Sequence, residues 1–185
     1  VDADDDGLLD MLITWESCEA ADPGTTYWWM HPGGPAGFEG RRVPRSLPAG
    51  YGDGAFAGTG ADADCGAGRP RYLLSDVGGP GPDLLIFADP CGDDPELGRG
   101  RWGRHPSGLD GWAEPGEPWS LPPGYPEGTF TWPGAVRSCS PEVPGWVMQD
   151  LTGDGVPDML VTADPCLDSE LGEAAWRLHP GGCDL

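Results

Sequence analysis

"SLPPGYPEGTF", residues 120–130, restates "SLPAGYGDGAF", residues 46–56, at an interval of 74 residues. Other residues keep that spacing on either side. His31-Pro32, His105-Pro106 and His179-Pro180 stand 74 apart, as do Cys65 and Cys139, and as do Asp2, Asp76 and Asp150. Cys18, Cys91 and Cys166 drift by one residue, at 73 and 75. Self-similarity at a fixed period is the mark of a repeat architecture. The chain reads as about two and a half copies of one unit, over residues 1–65, 66–139 and 140–185.

One unit offers four short strands. In the third copy they begin with "GWVMQD" (145–150), "DMLVTAD" (158–164) and "AAWRLHP" (174–180), and the second copy supplies the fourth as "GWAEPGEPWSLP" (111–122). Gly, Pro and Asp turn signals bound each run, and the runs have strand length rather than helix length. The helix-like fragment "DSELGEAAW" (168–176) is broken by Gly172 and amounts to one turn at most. The expected fold is all-β: tandem, four-stranded, antiparallel, propeller-like blades. The first unit is expected to lack its opening strand and the third its closing one, so the blades do not close a propeller on their own.

Composition narrows the function classes. Of 185 residues, 31 are Asp or Glu and 10 are Arg, with no Lys and no Asn, for a formal charge of −21. That balance repels nucleic acid and anionic membranes and favours divalent cations. The Arg-only usage implies a GC-rich, bacterial source. Gly (32) and Pro (22) alone would permit disorder, but nine Trp and recurrent apolar runs demand a core. No apolar run reaches membrane-spanning length. A start at Val1 implies a removed leader and hence a secreted, extracellular or cell-surface protein.

The acidic loops carry the chemistry. Asp150, Thr152, Asp154 and Asp158 occupy positions 1, 3, 5 and 9 of "DLTGDGVPD", and Asp2, Asp4, Asp6 and Asp10 hold the same positions in "DADDDGLLD". Odd spacing turns such side chains inward, and the glycine at position 6 allows a sharp bend. The position 7 carbonyls of Leu8 and Val156 add further oxygens. Hard oxygen ligands in a flexible cage suit Ca²⁺. A plain Asx-bonded turn is the competing reading. The middle loop, "DVGGPGPD" (76–83), is one residue shorter, lacks the central acid, and is expected to bind no metal.

With the apolar strand that follows each, "DADDDGLLDMLI" and "DLTGDGVPDMLV" resemble the calcium loops of FG-GAP and VCBS-type repeats, known from integrin alpha-subunit propellers and secreted bacterial proteins. The resemblance implies propeller-like blades, calcium-ordered loops and extracellular adhesion or binding. It covers about a fifth of the chain. The unit here is longer, and no Phe-Gly…Gly-Ala-Pro pair is present.

Six cysteines in an exported, Lys-free chain read as disulfides. An antiparallel hairpin places Cys139 beside Cys166, and Cys65 beside Cys91 one copy earlier, leaving Cys18 and Cys183 to pair within or between chains. The rival scheme joins Cys18 to Cys65, Cys91 to Cys139 and Cys166 to Cys183. Strand geometry favours the first. Each bond is worth roughly 3–4 kcal/mol in the chain-entropy model. A calcium site filled to about tenfold over its Kd adds on the order of 1.4 kcal/mol.

The recurrent W-x-x-H-P histidines read as structural turns at strand ends. Trp28, Trp102 and Trp176 read as core or inter-blade packing, whereas Trp29, Trp119 and Trp132 are candidates for glycan contact. No nucleophile elbow, phosphate loop, HExxH or paired-carboxylate set occurs, so the chain is expected not to be an enzyme. The leading expectation is a calcium- and disulfide-stabilised structural repeat protein that self-assembles head to tail into a filament or ring. A calcium-dependent adhesin or carbohydrate-binding module, and a fragment of a larger propeller, remain alternatives.

Overall fold

A computed structural model describes residues 1–14, 23–51, 55–57, 71–78, 81–89, 94–125, 130, 145–163, 168, 170–171 and 173–181. All six cysteines and Trp132 lie outside these residues, as do the junctions at 65/66 and 139/140 between the expected units. Among the described residues the chain is all-β. Twelve strands form three sheets: β1 (Met11–Ile13), β2 (Tyr27–His31), β3 (Val43–Ser46), β4 (Arg71–Ser75), β5 (Asp83–Ala88), β6 (Arg101–His105), β7 (Ser107–Gly108), β8 (Gly111–Trp112), β9 (Glu117–Ser120), β10 (Gly145–Gln149), β11 (Asp158–Ala163) and β12 (Arg177–His179). None of the sheets is closed. The described residues of the helix-like fragment form turns at 170, 173 and 174 and no helix, and among the described residues no helix is long and apolar enough to cross a membrane.

The middle sheet runs β4-β5-β6-β9, all antiparallel neighbours in up-and-down order. The third sheet, β10-β11-β12, repeats the first three of these strands in the same register. Leu84 faces His105 in the middle sheet, and Met159 faces His179 in the third. In the first sheet Met11 faces His31, so β1-β2-β3 corresponds to β5-β6-β9. The pairing follows the 74-residue period because each strand's apolar residues must meet those of its neighbour on one face.

The middle sheet is covered on both sides. From β5 (DLLIFA), Leu84 and Ile86 enter one core with Trp28, Phe56 and Trp112 of the first junction. Leu85 and Phe87 enter a second core with Trp102, Phe130, Trp146 and Val161 of the second junction. Alternation along one strand thus feeds two cores, which is why β5 is apolar at every inner position. Full burial of one such side chain stabilises by about 1.5–3 kcal/mol.

The described residues of the repeated SLPxGYxxGxF segment, Leu47, Tyr51 and Phe56 in one copy and Leu121, Tyr125 and Phe130 in the other, line each junction. Phe56 accepts the Trp28 indole N–H on its carbonyl at 2.9 Å, and Phe130 does the same for Trp102 at 3.1 Å. Tyr51 and Tyr125 pack beside them.

Residues 111–122 do not form one fourth strand as the sequence suggested. They divide into β8 and β9, and β8 with β7 turns back to join the first sheet, where Gly111 pairs in parallel with Ser46 of β3. Gly111 has φ 145°, and a side chain there would collide with the Ser46 backbone. Trp112 thereby reaches the first core, its ring 5.0 Å from that of Trp28 and its N–H on the Pro82 carbonyl at 2.9 Å. Arg45 holds this crossing, donating to the Leu109 carbonyl at 2.7 Å and to Gly108 at 2.9 Å.

Candidate functional site

The first and third acidic loops share one backbone course. At position 1, Asp2 accepts the N–H of Gly7 at 2.9 Å, and Asp150 that of Gly155 at 3.0 Å. At position 5, Asp6 and Asp154 each accept the N–H two residues on, from Leu8 at 2.8 Å and Val156 at 2.9 Å. Gly7 and Gly155 both have φ 85°. Position 4 is left-handed as well, filled by Gly153 in one loop and by Asp5, at φ 62°, in the other. Asp tolerates that region better than most residues. In the middle loop, Asp76 accepts the N–H of Gly78 in a short Asx contact.

The two loops differ in how their carboxylates gather. Asp2, Asp4 and Asp10 bring one oxygen each within 4.8 Å of one another, the one such acidic cluster among the described residues. Burial, and then the charges of Asp10, Asp6 and Asp2, raise the Asp4 carboxyl above its ordinary pKa. Asp6 stays outside the trio. Asp150, Asp154 and Asp158 do not converge in this way.

The aspartate at position 9 has a further role that its spacing did not reveal. Asp10 is buried and accepts the backbone N–H groups of Ala3 and Gly33, both at 2.7 Å. Asp158, fully buried, accepts those of Leu151 at 2.8 Å, Thr152 at 2.9 Å and Gly181 at 2.8 Å. The Thr152 hydroxyl turns toward it at 3.5 Å. Burial pushes the Asp158 carboxyl up, but the bonds from Gly181, Leu151 and Thr152 outweigh it and hold its pKa below the ordinary value. Asp83, the counterpart in the middle loop, accepts from Ser107 N–H and from Arg104, each at 2.7 Å. In all three sheets this residue ties the segment after the His-Pro turn to the start of the apolar strand. Its presence where the loop has lost its central acid marks it as a backbone staple first.

The histidines link neighbouring sheets. His105 Nδ1 donates to the Ala113 carbonyl at 2.9 Å, so Nε2 accepts the Tyr51 hydroxyl at 2.8 Å. Tyr125 meets His179 Nε2 at 2.8 Å in the same manner. Burial, followed by the charges of Asp89, Glu114 and Asp94, pushes Tyr51 up to about 12. The regular 54-residue offset of these two pairs was the available sequence signal.

Trp29 and Trp119 are half-buried. Arg42 lies 5.0 Å from the Trp29 ring and Arg104 5.7 Å from Trp119. The Trp29 indole nitrogen is buried without a hydrogen-bond partner. Trp119 edges a cavity of about 210 Å³ shared with Leu121, Met148, Met159 and His179. Trp28 and Trp102 are buried as expected, at 1% and 0% exposure, but Trp176 is 64% exposed. No described sheet lies against the face it occupies.

No family model matches this chain, and no curated protein or solved structure matches it significantly.

Proposed function

We propose that this chain is a non-enzymatic, extracellular structural repeat protein of propeller-like blades, stabilised by calcium and disulfides, that assembles with copies of itself into a filament or ring. The observation that carries this reading is the correspondence between junctions. Two successive junctions use the same Trp, Tyr, Phe and His positions, while Trp176 on the outer side of the third sheet and Phe38 on that of the first are exposed. Repeat arrays bury each unit's apolar faces against a next unit, and exposed sheet faces and edges recruit partners.

The calcium part of the reading rests on the first loop. Three carboxylates converge there, burial and then the charges of Asp10, Asp6 and Asp2 raise Asp4, and a hard divalent cation would relieve the repulsion among them. Asp2, Asp4 and Asp10 would hold the ion, ordering residues 2–10 as bound calcium orders the loops that this stretch resembles. The third loop fits less well, because its carboxylates do not gather.

Sedimentation velocity of the 19.4 kDa chain at micromolar concentration, in calcium, tests the assembly. Species larger than a monomer are expected, growing with concentration. A monomer throughout would refute it.

A further inference from the structure

We propose that association is heterologous: the open face of the third sheet docks on the open face of the first sheet of a second copy, reproducing the contact already made twice inside one chain. This inference rests on the assembly reading above and names its two surfaces.

The internal junctions show what each face takes. Toward the third sheet, the middle sheet presents Leu73, Leu85 and Trp102. Register places Val147, Leu160 and Trp176 at those positions one unit later: Leu73 faces Leu85 as Val147 faces Leu160, and Trp176 follows Trp102 at the 74-residue interval. Trp102 is wholly buried, its ring 5.1 Å from that of Trp146. Trp176 is 64% exposed, Val147 43% and Leu178, beside Leu160, 41%. Leu160, between them, is buried, at 8% exposure, so the third sheet carries a face built like a junction whose centre is covered and whose flanks, Val147, Leu178 and Trp176, are exposed.

Toward the first sheet, the middle sheet presents Leu84, Ile86 and, on the crossing hairpin, Trp112. Their counterparts one unit earlier are Met11, Ile13 and Phe38. Phe38 and Trp112 are fixed as equivalents because the next residue of each, Glu39 or Ala113, gives its carbonyl to Nδ1 of the preceding histidine, His31 or His105. Trp112 is buried against Trp28, whereas Phe38 is 55% exposed and Met11 and Ile13 are half-buried. His31 is the histidine of this face, in the place where His105 and His179 each receive a tyrosine hydroxyl from the preceding unit.

The two faces are thus the two halves of one junction. A face that covers Trp176 must supply what covers Trp102, an M/L-x-V/I strand with aromatic neighbours, and the first sheet of a second copy offers Met11, Ile13 and Phe38. Unlike faces that meet head to tail give a ring if the rotation closes and a filament otherwise.

Sedimentation velocity of the whole chain, at up to about 100 μM to reach weak association, tests this with two blocked variants. Trp176→Glu blocks one face and Phe38→Glu the other; both residues are exposed, so both variants fold. Each variant alone is expected to be a monomer, while an equimolar mixture forms a dimer through the one intact pair of faces. Ile13→Glu should behave as Phe38→Glu does. If the unaltered chain associates and Trp176→Glu still polymerises, the surfaces are wrong while the assembly reading stands. If Phe38→Glu alone forms a dimer that Trp176→Glu abolishes, the contact is like to like and the heterologous pairing is refuted. An unaltered chain that stays monomeric at the highest concentration refutes the assembly reading and this one with it.

Discussion

Strands β5 and β11 are near copies, DLLIFA and DMLVTA, paired in the same register and both buried along their first four residues, yet β5 feeds two cores whereas the residues flanking Leu160 of β11, Val147 and Leu178, are exposed. The residues around them diverge accordingly. Trp102 is fully buried and Trp176 is 64% exposed, although they occupy the same place in the repeat. A residue's identity in a repeat array sets which face it serves, and the neighbouring unit sets whether that face is dry.

The largest expected effect separates these two tryptophans. Trp102→Ala empties a packed site and orphans the Phe130 carbonyl, and should cost about 3–5 kcal/mol. Trp176→Ala, measured where the chain is monomeric, should stay within about 0.5 kcal/mol, as surface changes do. Urea unfolding followed by circular dichroism reads both. Equal losses would mean that the open face is covered by something else and would break the comparison.

A second effect lies at the strand entrances. Asp158→Ala leaves the N–H groups of Leu151, Thr152 and Gly181 without their acceptor, at a cost of about 1–3 kcal/mol. The pH dependence has a definite sign. Because the folded carboxyl lies below its unfolded value of about 3.9, the stability it contributes is complete above that value. It is lost as pH falls through the lower, folded value. The gap between the unaltered chain and Asp158→Asn should therefore narrow only in strong acid, and a gap independent of pH down to about 2 would show that the charge is not what the backbone groups hold.

Much of this was legible beforehand, and the exceptions have physical reasons. The period, the strands at 83–88 and 158–163 and the shared loop course follow from apolar runs and turn residues, which are local signals. The β7–β8 crossing was not legible, because "GW" after a turn reads equally as the start of the next strand. Only the tertiary contact with Ser46, where Gly111 alone fits, sends it to the first sheet. Asp10 and Asp158 read as ligands from odd spacing, and their hold on Gly33 and Gly181, 23 residues away, is invisible to spacing within a loop. The burial of Trp176 was misread for the reason given above.

Calcium should separate the loops that open these sheets. By the proposed site, adding the ion slows hydrogen exchange most over residues 2–10, less over 150–158 and not at all over 76–78. At about tenfold over Kd the global gain is on the order of 1.4 kcal/mol. Asp4→Asn should remove most of it. Uniform protection of all three loops would argue for general screening of a −21 charge instead of a site.

The smallest effect concerns the tyrosine–histidine links, and it compares the middle sheet with the third directly. In the first junction His105 is buried, and its Nδ1–H is committed to the Ala113 carbonyl, so Nε2 has the Tyr51 hydroxyl as its donor. Tyr51, pushed up to about 12, keeps its proton throughout the working range. Tyr51→Phe leaves that nitrogen unpaired away from water and should cost about 1 kcal/mol. In the second junction His179 is only half-buried, its pKa lowered by burial and by Arg177, so it is neutral and still within reach of solvent. Water can replace the Tyr125 hydroxyl there, and Tyr125→Phe should cost about half as much. If assembly covers the third sheet as proposed, His179 loses that water, and the cost of Tyr125→Phe should rise toward that of Tyr51→Phe at concentrations where the chain associates.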